Sequence, residues 1–252
     1  GASRARPGDR VLSFTSHRSA MQLADRDVLA VVPEGLDDAA AAVAYLFHLG
    51  YNAVLRAGVR AGARVTVVGL GALGIAAVAC ARLAGAEVAA VSAQAASRRL
   101  ALGAGARWAG GRAEAGPESA AAGADAVVLT TNAWEDFALA LRLAGQRGTV
   151  AVLGFPGRGL PPPAANPLPS DPFYLRQLRI EAVGLSPEVP DSRGFARFNE
   201  RDNLAFLLRA LADGRLDASP LTAHRMAADR LAEAYTALLD RAPGQLTTLL
   251  TW

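Results

Sequence analysis

Lysine is absent from this chain. All 26 basic residues are arginine, which excludes a Schiff-base lysine and a Tyr-x-x-x-Lys catalytic pair. Cysteine is nearly absent too. Cys80 stands alone, so the chain can form no intrachain disulfide and no four-cysteine zinc site. It falls in an alanine-rich helical pattern, as a small buried hydrophobe does. Charge is sparse at 19% of residues, with a net value of +3. The arginines are scattered, and no basic stripe with interleaved aromatics occurs, so no nucleic-acid partner is expected. No apolar run reaches membrane-span length uninterrupted, and the first residues show no signal-peptide pattern. The expectation is therefore a cytoplasmic chain without a membrane partner.

What remains is rich in small and apolar residues. The 252 residues are 52% hydrophobic, enough for one large core or two modest ones. The opening segment alternates like short strands near 10–14 and 28–32. Asp37 or Asp38 then caps a helix running toward residue 55. Beyond it the pattern predicts strands at 64–68, 87–91, 125–129 and 149–153, with helices at 75–83, 97–102 and 134–143 between them. Continuous apolar strands alternating with helices imply a doubly wound parallel α/β sheet covered on both faces. A proline-rich stretch follows from Leu160. The pattern then predicts a last strand at 180–185, helices at 199–212 and 227–239, and a closing strand at 246–252.

The most informative run is Gly69-Leu70-Gly71-Ala72-Leu73-Gly74. A G-x-G-x-x-G pattern is weak alone, but here it follows a strand and opens a helix within a strand-helix-strand unit, the Rossmann context. Gly69 allows the tight turn, Gly71 lets backbone approach a pyrophosphate, and Gly74 lets helix and strand pack closely. The helix N-terminus adds free N–H groups for the phosphates. Where a ribose-binding acid belongs, about 20 residues past the motif, the chain has Ser92, with Arg98 and Arg99 on the next helix. A small hydroxyl with arginines suits a 2′-phosphate, so NADP is favoured and NAD is the second choice. Ligands bind at the carboxyl ends of strands, which adds Thr130, Thr131, Gly154 and Phe155 to the cofactor-binding candidates.

At this point the chain resembles the alcohol dehydrogenase-like branch of the medium-chain dehydrogenase/reductase superfamily. The matching pieces include Val32-Pro33-Glu34-Gly35-Leu36, the helix to Gly50-Tyr51-Asn52-Ala53, and Gly62 through Gly74. Leu102-Gly103-Ala104-Gly105-Ala106, Gly148 to Gly154, and Ala210 to Leu216 continue the likeness. The resemblance implies a Rossmann domain over 41–215. It also implies that 1–40 and 216–252 form a small β-rich remnant of a GroES-like catalytic domain, shortened at the N-terminus. The family's zinc-binding cysteine and Gly-His-Glu segment are not found, and the third ligand's place falls at Tyr45, a poor zinc ligand. A catalytic zinc needs about three protein ligands, so no zinc and no metal residue is expected.

The helix carrying Tyr45, His48 and Tyr51 faces the nicotinamide cleft in that family, which makes these three the candidates for a proton donor. The resulting expectation is a zinc-independent NAD(P)H-dependent oxidoreductase acting on the carbonyl or activated alkene of a small molecule, dimeric through the Rossmann edge strand near 180–185. The alternative is a non-redox, catalytically retired descendant that binds nucleotide as a scaffold, sensor or assembly partner.

Overall fold

The computed structural model describes residues 5–15, 17–184, 186, 198–240 and 242–252. The chain divides into two compact units, Leu49–Leu185 and a second made of Gly1–His48 with Ser186–Trp252. The expected boundary at 41–215 placed the helix after residue 199 with the Rossmann part. In the structure this helix groups with the other unit, because its leucine face packs on the N-terminal elements.

The first unit of the chain contains β1 (Val11–Ser13) and β2 (Val28–Val31), an antiparallel pair, then α1 (Asp38–Ala42) and the start of α2 (Ala44–Arg56). Asp37 caps α1, its carboxylate accepting from the Ala40 N–H at 3.2 Å. The expected single helix is broken at Val43, whose ψ of 2° falls outside the helical region.

The Leu49–Leu185 unit begins within α2. β3 (Arg64–Val68), α3 (Ala72–Leu83), β4 (Glu87–Val91), α4 (Ala95–Gly103) and β5 (Trp108–Gly110) come next. They are followed by β6 (Ala124–Leu129), α5 (Trp134–Leu143), β7 (Ala144–Val152) and β8 (Arg179–Ala182). The six strands form one parallel sheet in the order β5-β4-β3-β6-β7-β8. This is the doubly wound Rossmann order, with its switch point between β3 and β6. Four of the five residues in each of β3 and β4 are buried, as a sheet covered on both faces requires. Residues Gly74 through Ala81 of α3 are all buried, so the helix is apolar around its circumference. Small residues permit this. A Cβ at Gly50 would lie 2.7 Å from the Ala77 nitrogen, so α2 reaches the α3 backbone only as glycine.

Two strands differ from the sequence expectation. β5 spans three residues, too few for a periodicity to show. β7 starts directly after α5, five residues before the expected 149. The last strand of this sheet is Arg179–Ala182; Leu185, the end of the expected strand, lies outside the described residues.

The other unit resumes with α6 (Glu200–Ala212), capped by Asn199, whose Oδ1 accepts from the Asp202 N–H at 3.0 Å. Leu204, Leu207, Leu208 and Leu211 form its buried stripe. α7 (Ser219–Thr222), β9 (Arg225–Ala227), α8 (Leu231–Leu239) and β10 (Leu249–Thr251) complete it, with β9 and β10 paired in parallel. Among the described residues no helix is long and apolar enough to cross a membrane.

Candidate functional site

The carboxyl ends of β3, β4, β6 and β7 meet at one edge of the sheet. Gly69 turns out of β3 with φ near 95°, a conformation that L side chains rarely adopt. Its N–H donates to the Val91 carbonyl at 2.9 Å, tying the turn to the end of β4. A Cβ on Gly69 would strike Thr131 Cγ2 and lie 2.6 Å from Thr130 Oγ1. A Cβ on Gly74 would run into the Gly69 carbonyl oxygen, whereas one on Gly71 would meet nothing within 4 Å. The three glycines therefore do three jobs. Gly69 makes the turn, Gly74 closes helix on strand, and Gly71, the N-cap of α3, leaves its side open. Leu70 is buried beneath the turn, and Ala72 and Leu73 begin α3 half-exposed.

Threonines line the next strand end. Thr130 donates its hydroxyl to the Gly69 carbonyl at 2.9 Å. Thr131 donates to Asp136 Oδ2 at 2.8 Å, and Arg112 grips the same carboxylate through Nε (2.5 Å) and Nη2 (2.9 Å). That bidentate bond raises the Arg112 pKa above its ordinary value. Gly154 sits against the Thr130–Thr131 backbone, where a Cβ would lie 2.7 Å from the Thr130 carbonyl carbon. Phe155 is exposed beside it, its N–H bonded to Asn132 Oδ1 at 3.1 Å, and Asn132 also accepts from the Gly157 N–H through its carbonyl. The motif thus joins Thr130, Thr131, Gly154 and Phe155 into one rim. Sequence reasoning missed Asp136 and Arg112, which fix Thr131 through side chains separated by 24 residues.

At the end of β4, Ser92 Oγ accepts from the Gln94 N–H at 3.2 Å. Arg98 donates from Nη1 to the Ser92 and Ala93 carbonyls, at 2.9 and 3.1 Å, bringing its guanidinium to this loop. Arg99 is exposed and makes no hydrogen bond or ion pair among the described residues. Glu114, not anticipated from sequence, accepts from the Gly111 N–H at 2.6 Å, where β5 ends next to β4.

The proton-donor candidates do not fall in one unit. Tyr51 lies on the Leu49–Leu185 side of α2; Tyr45 and His48 lie in the other unit. There the Tyr45 ring contacts Phe14 edge-on (4.1 Å between centroids) and His48 at 5.0 Å. The Tyr45 hydroxyl donates to Glu200 Oε2 at 2.8 Å. His48 is 1% exposed, and burial pushes its pKa down to about 4, so the ring is neutral at pH 7. An imidazolium acid is therefore not available there at neutral pH. Glu200 was not singled out from sequence; nothing local marks a glutamate at the first position of a helix as the partner of a tyrosine 155 residues earlier.

Among the described residues no three His, Cys, Asp or Glu side chains cluster as metal ligands. Cys80 is fully buried, and burial pushes its thiol pKa far up, away from the thiolate a metal requires.

A parallel sheet in this order, with a glycine turn at its switch point, defines a Rossmann fold. Residues 72–195 match the family model described as "Zinc-binding dehydrogenase". No curated protein sequence matches the chain. Among solved structures, L-idonate 5-dehydrogenase of Escherichia coli is 17% identical with a TM-score of 0.74, covering 92% of this chain and 62% of its own. The 2R,3R-butanediol dehydrogenase of Bacillus subtilis is 18% identical with a TM-score of 0.72, covering 90% and 62%. A Sinorhizobium meliloti protein bound to NADP, described as a zinc-binding dehydrogenase, is 25% identical with a TM-score of 0.71, covering 88% and 62%. The chain thus spans about 62% of the length of these relatives.

Proposed function

We propose that this protein is an oxidoreductase that binds NADP(H) along the ends of β3, β4, β6 and β7. It would exchange a hydride with the carbonyl, activated alkene or alcohol of a small molecule, without a catalytic zinc. The observation carrying this reading is the glycine turn. At Gly69 and Gly74 an added Cβ would fall within 3 Å of neighbouring atoms, while Gly71 is open on the side where a pyrophosphate lies in a Rossmann domain. The bound nicotinamide supplies the hydride acceptor or donor. The chain's residues hold the cofactor and orient it. Thr130 and Thr131, fixed by Gly69 and Asp136, flank the nicotinamide ribose, and the α3 N-terminus faces the phosphates.

The preference for NADP rests on Ser92. Its hydroxyl oxygen accepts from Gln94, which leaves the proton to donate to a 2′-phosphate, and Arg98 brings positive charge to the same loop. No carboxylate directly follows β4 to take a ribose 2′-hydroxyl; Glu114, one strand over, is the chain's alternative for that role and for NAD. The reading also includes a cytoplasmic homodimer formed through β8, the last strand of the sheet.

Calorimetric titration with NADPH and NADH, followed by an NADPH-absorbance survey of ketones, aldehydes, enones and alcohols, tests this. Tighter NADPH binding with turnover of one class supports it. Binding without any turnover favours a retired nucleotide-binding protein, and no binding of either nucleotide removes the reading altogether.

A further inference from the structure

Beside β5, the edge strand of the sheet, lies a cavity of about 550 Å³, within the size range of small-molecule sites. Trp108 and Ala109 of β5 form one wall, and the segment from Ala113 to Ser119 forms the other. Both walls are anchored. Ala115 and Ala121 are buried in the core beside Leu129 and Phe137, and Trp108 packs partly against the same core. Two lining groups meet over Gly110. A Cβ there would strike the Trp108 ring and lie 2.9 Å from Glu114 Oε2, so the glycine lets ring and carboxylate come together.

The side-chain polar groups of the cavity are acceptors. Glu114 uses Oε2 to accept from the Gly111 N–H at 2.6 Å, which leaves Oε1. Glu118 makes no hydrogen bond or ion pair among the described residues. Ser119 donates its hydroxyl hydrogen to the Gly116 carbonyl at 2.7 Å, so its oxygen faces a ligand with lone pairs alone. None of the described residues lining the cavity is basic. The neighbouring arginines are held elsewhere, Arg98 on the Ser92 and Ala93 carbonyls and Arg112 on Asp136. Such a lining selects a ligand that brings positive charge and N–H donors. The Trp108 ring accommodates methylene groups and attracts a cation as well. A neutral alcohol has one donor and no charge, and a quaternary ammonium has charge and no donor. A primary ammonium has both, ahead of an alkyl chain.

We infer that Trp108, Glu114, Glu118 and Ser119 form a binding site for the primary ammonium group of a small aliphatic amine. The two carboxylates and the Ser119 oxygen take the N–H groups, and the alkyl chain lies along the Trp108 ring. All four residues belong to the Leu49–Leu185 unit. The site uses no nucleotide chemistry, so it stands independently of the oxidoreductase reading.

The test is ¹H–¹⁵N NMR of the full chain without nucleotide, following its three tryptophan indole N–H signals as n-butylammonium chloride is added. Sodium chloride at equal ionic strength, 1-butanol and tetramethylammonium chloride are the comparisons. The Trp108 indole and the Gly111 amide are expected to move saturably with n-butylammonium, while Trp134 and Trp252 stay still. Sodium chloride and 1-butanol are expected to produce no saturable shift. Tetramethylammonium, which has no N–H group, is expected to bind about tenfold more weakly. E118Q removes the charge of an exposed side chain and leaves the fold intact; it is expected to weaken n-butylammonium about threefold, the scale of one exposed ion pair. E114Q keeps an oxygen acceptor for the Gly111 N–H, and E114Q/E118Q together are expected to weaken binding about tenfold. A Trp108 signal that ignores n-butylammonium overturns the site, as does one that moves equally with 1-butanol or sodium chloride. Equal affinity for tetramethylammonium, or an E118Q or E114Q/E118Q titration matching wild type, overturns it too.

Discussion

The rim of the Rossmann sheet and the polar face shared by α2 and α6 solve the placement of polar groups in opposite ways. At the rim, backbone does most of the work. Glycines bring carbonyls and N–H groups within bonding distance, and the threonine hydroxyls are each matched to a carbonyl or carboxylate. Between α2 and α6, side chains from distant parts of the chain do the work, and several of their atoms are left bare. The first region is close-packed at Gly69, Gly74 and Gly154, where no added atom fits, and open only at Gly71; the second is polar, buried and incompletely bonded.

Substitutions break this contrast in order of size. The largest effect belongs to Gly74. G74V drives a side chain into the Gly69 carbonyl, so chemical denaturation is expected to show a loss of at least about 3 kcal/mol, with NADPH binding abolished. A G74V protein of normal stability would mean that α3 is free to move away from β3.

A comparable effect separates the second region by pH. His48 is depressed from 6.5 to about 4 in the folded state, so the unfolded chain takes up its proton first. The associated stability is complete above about pH 6.5 and is lost progressively as the pH falls to 4, amounting to about 3 kcal/mol there. Urea unfolding of wild type and H48L across this window checks it; the two curves are expected to converge in slope above pH 7 and diverge below.

Next comes the cofactor end of β4. S92E puts a carboxylate where a 2′-phosphate would sit, and is expected to weaken NADPH by about 2 kcal/mol while leaving NADH equal or tighter. An unchanged ratio of the two dissociation constants would shift the discriminating role from Ser92 to Glu114.

The smallest stability effect, and the sharpest test of the open rim, is G71A. A Cβ there touches nothing, so unfolding is expected to change by under about 0.5 kcal/mol while NADPH affinity drops by about tenfold or more. Equal losses in both measurements would mean that Gly71 serves the fold rather than the ligand.

The same contrast explains what could be read from sequence. Gly69, Gly71 and Gly74 fall within six consecutive residues, and their spacing encodes a local backbone path, so the turn and its strand-helix setting were legible. The doubly wound parallel sheet followed from the alternation of helices and apolar strands; the order of its strands came from the structure. Side-chain partnerships across long separations leave no such trace. Asp136 reads as an ordinary helix-opening acid and Glu200 as another. Only the folded chain shows that the first anchors Thr131 together with Arg112, and that the second takes the Tyr45 proton in a hydrogen bond. His48 was visible as a histidine beside a tyrosine, but its charge state depends on burial that sequence alone does not fix.

Asn132 has a kinetic consequence. With its side chain on the Phe155 amide and its carbonyl on the Gly157 amide, it staples the segment after β6 to the segment after β7. Two loops that would otherwise open independently become one cooperative unit. In hydrogen exchange the amides of Phe155 and Gly157 should then share a single opening free energy, and N132A should split it into two. Any ligand seated on this rim would be released by one joint opening event rather than by the looser of two flaps.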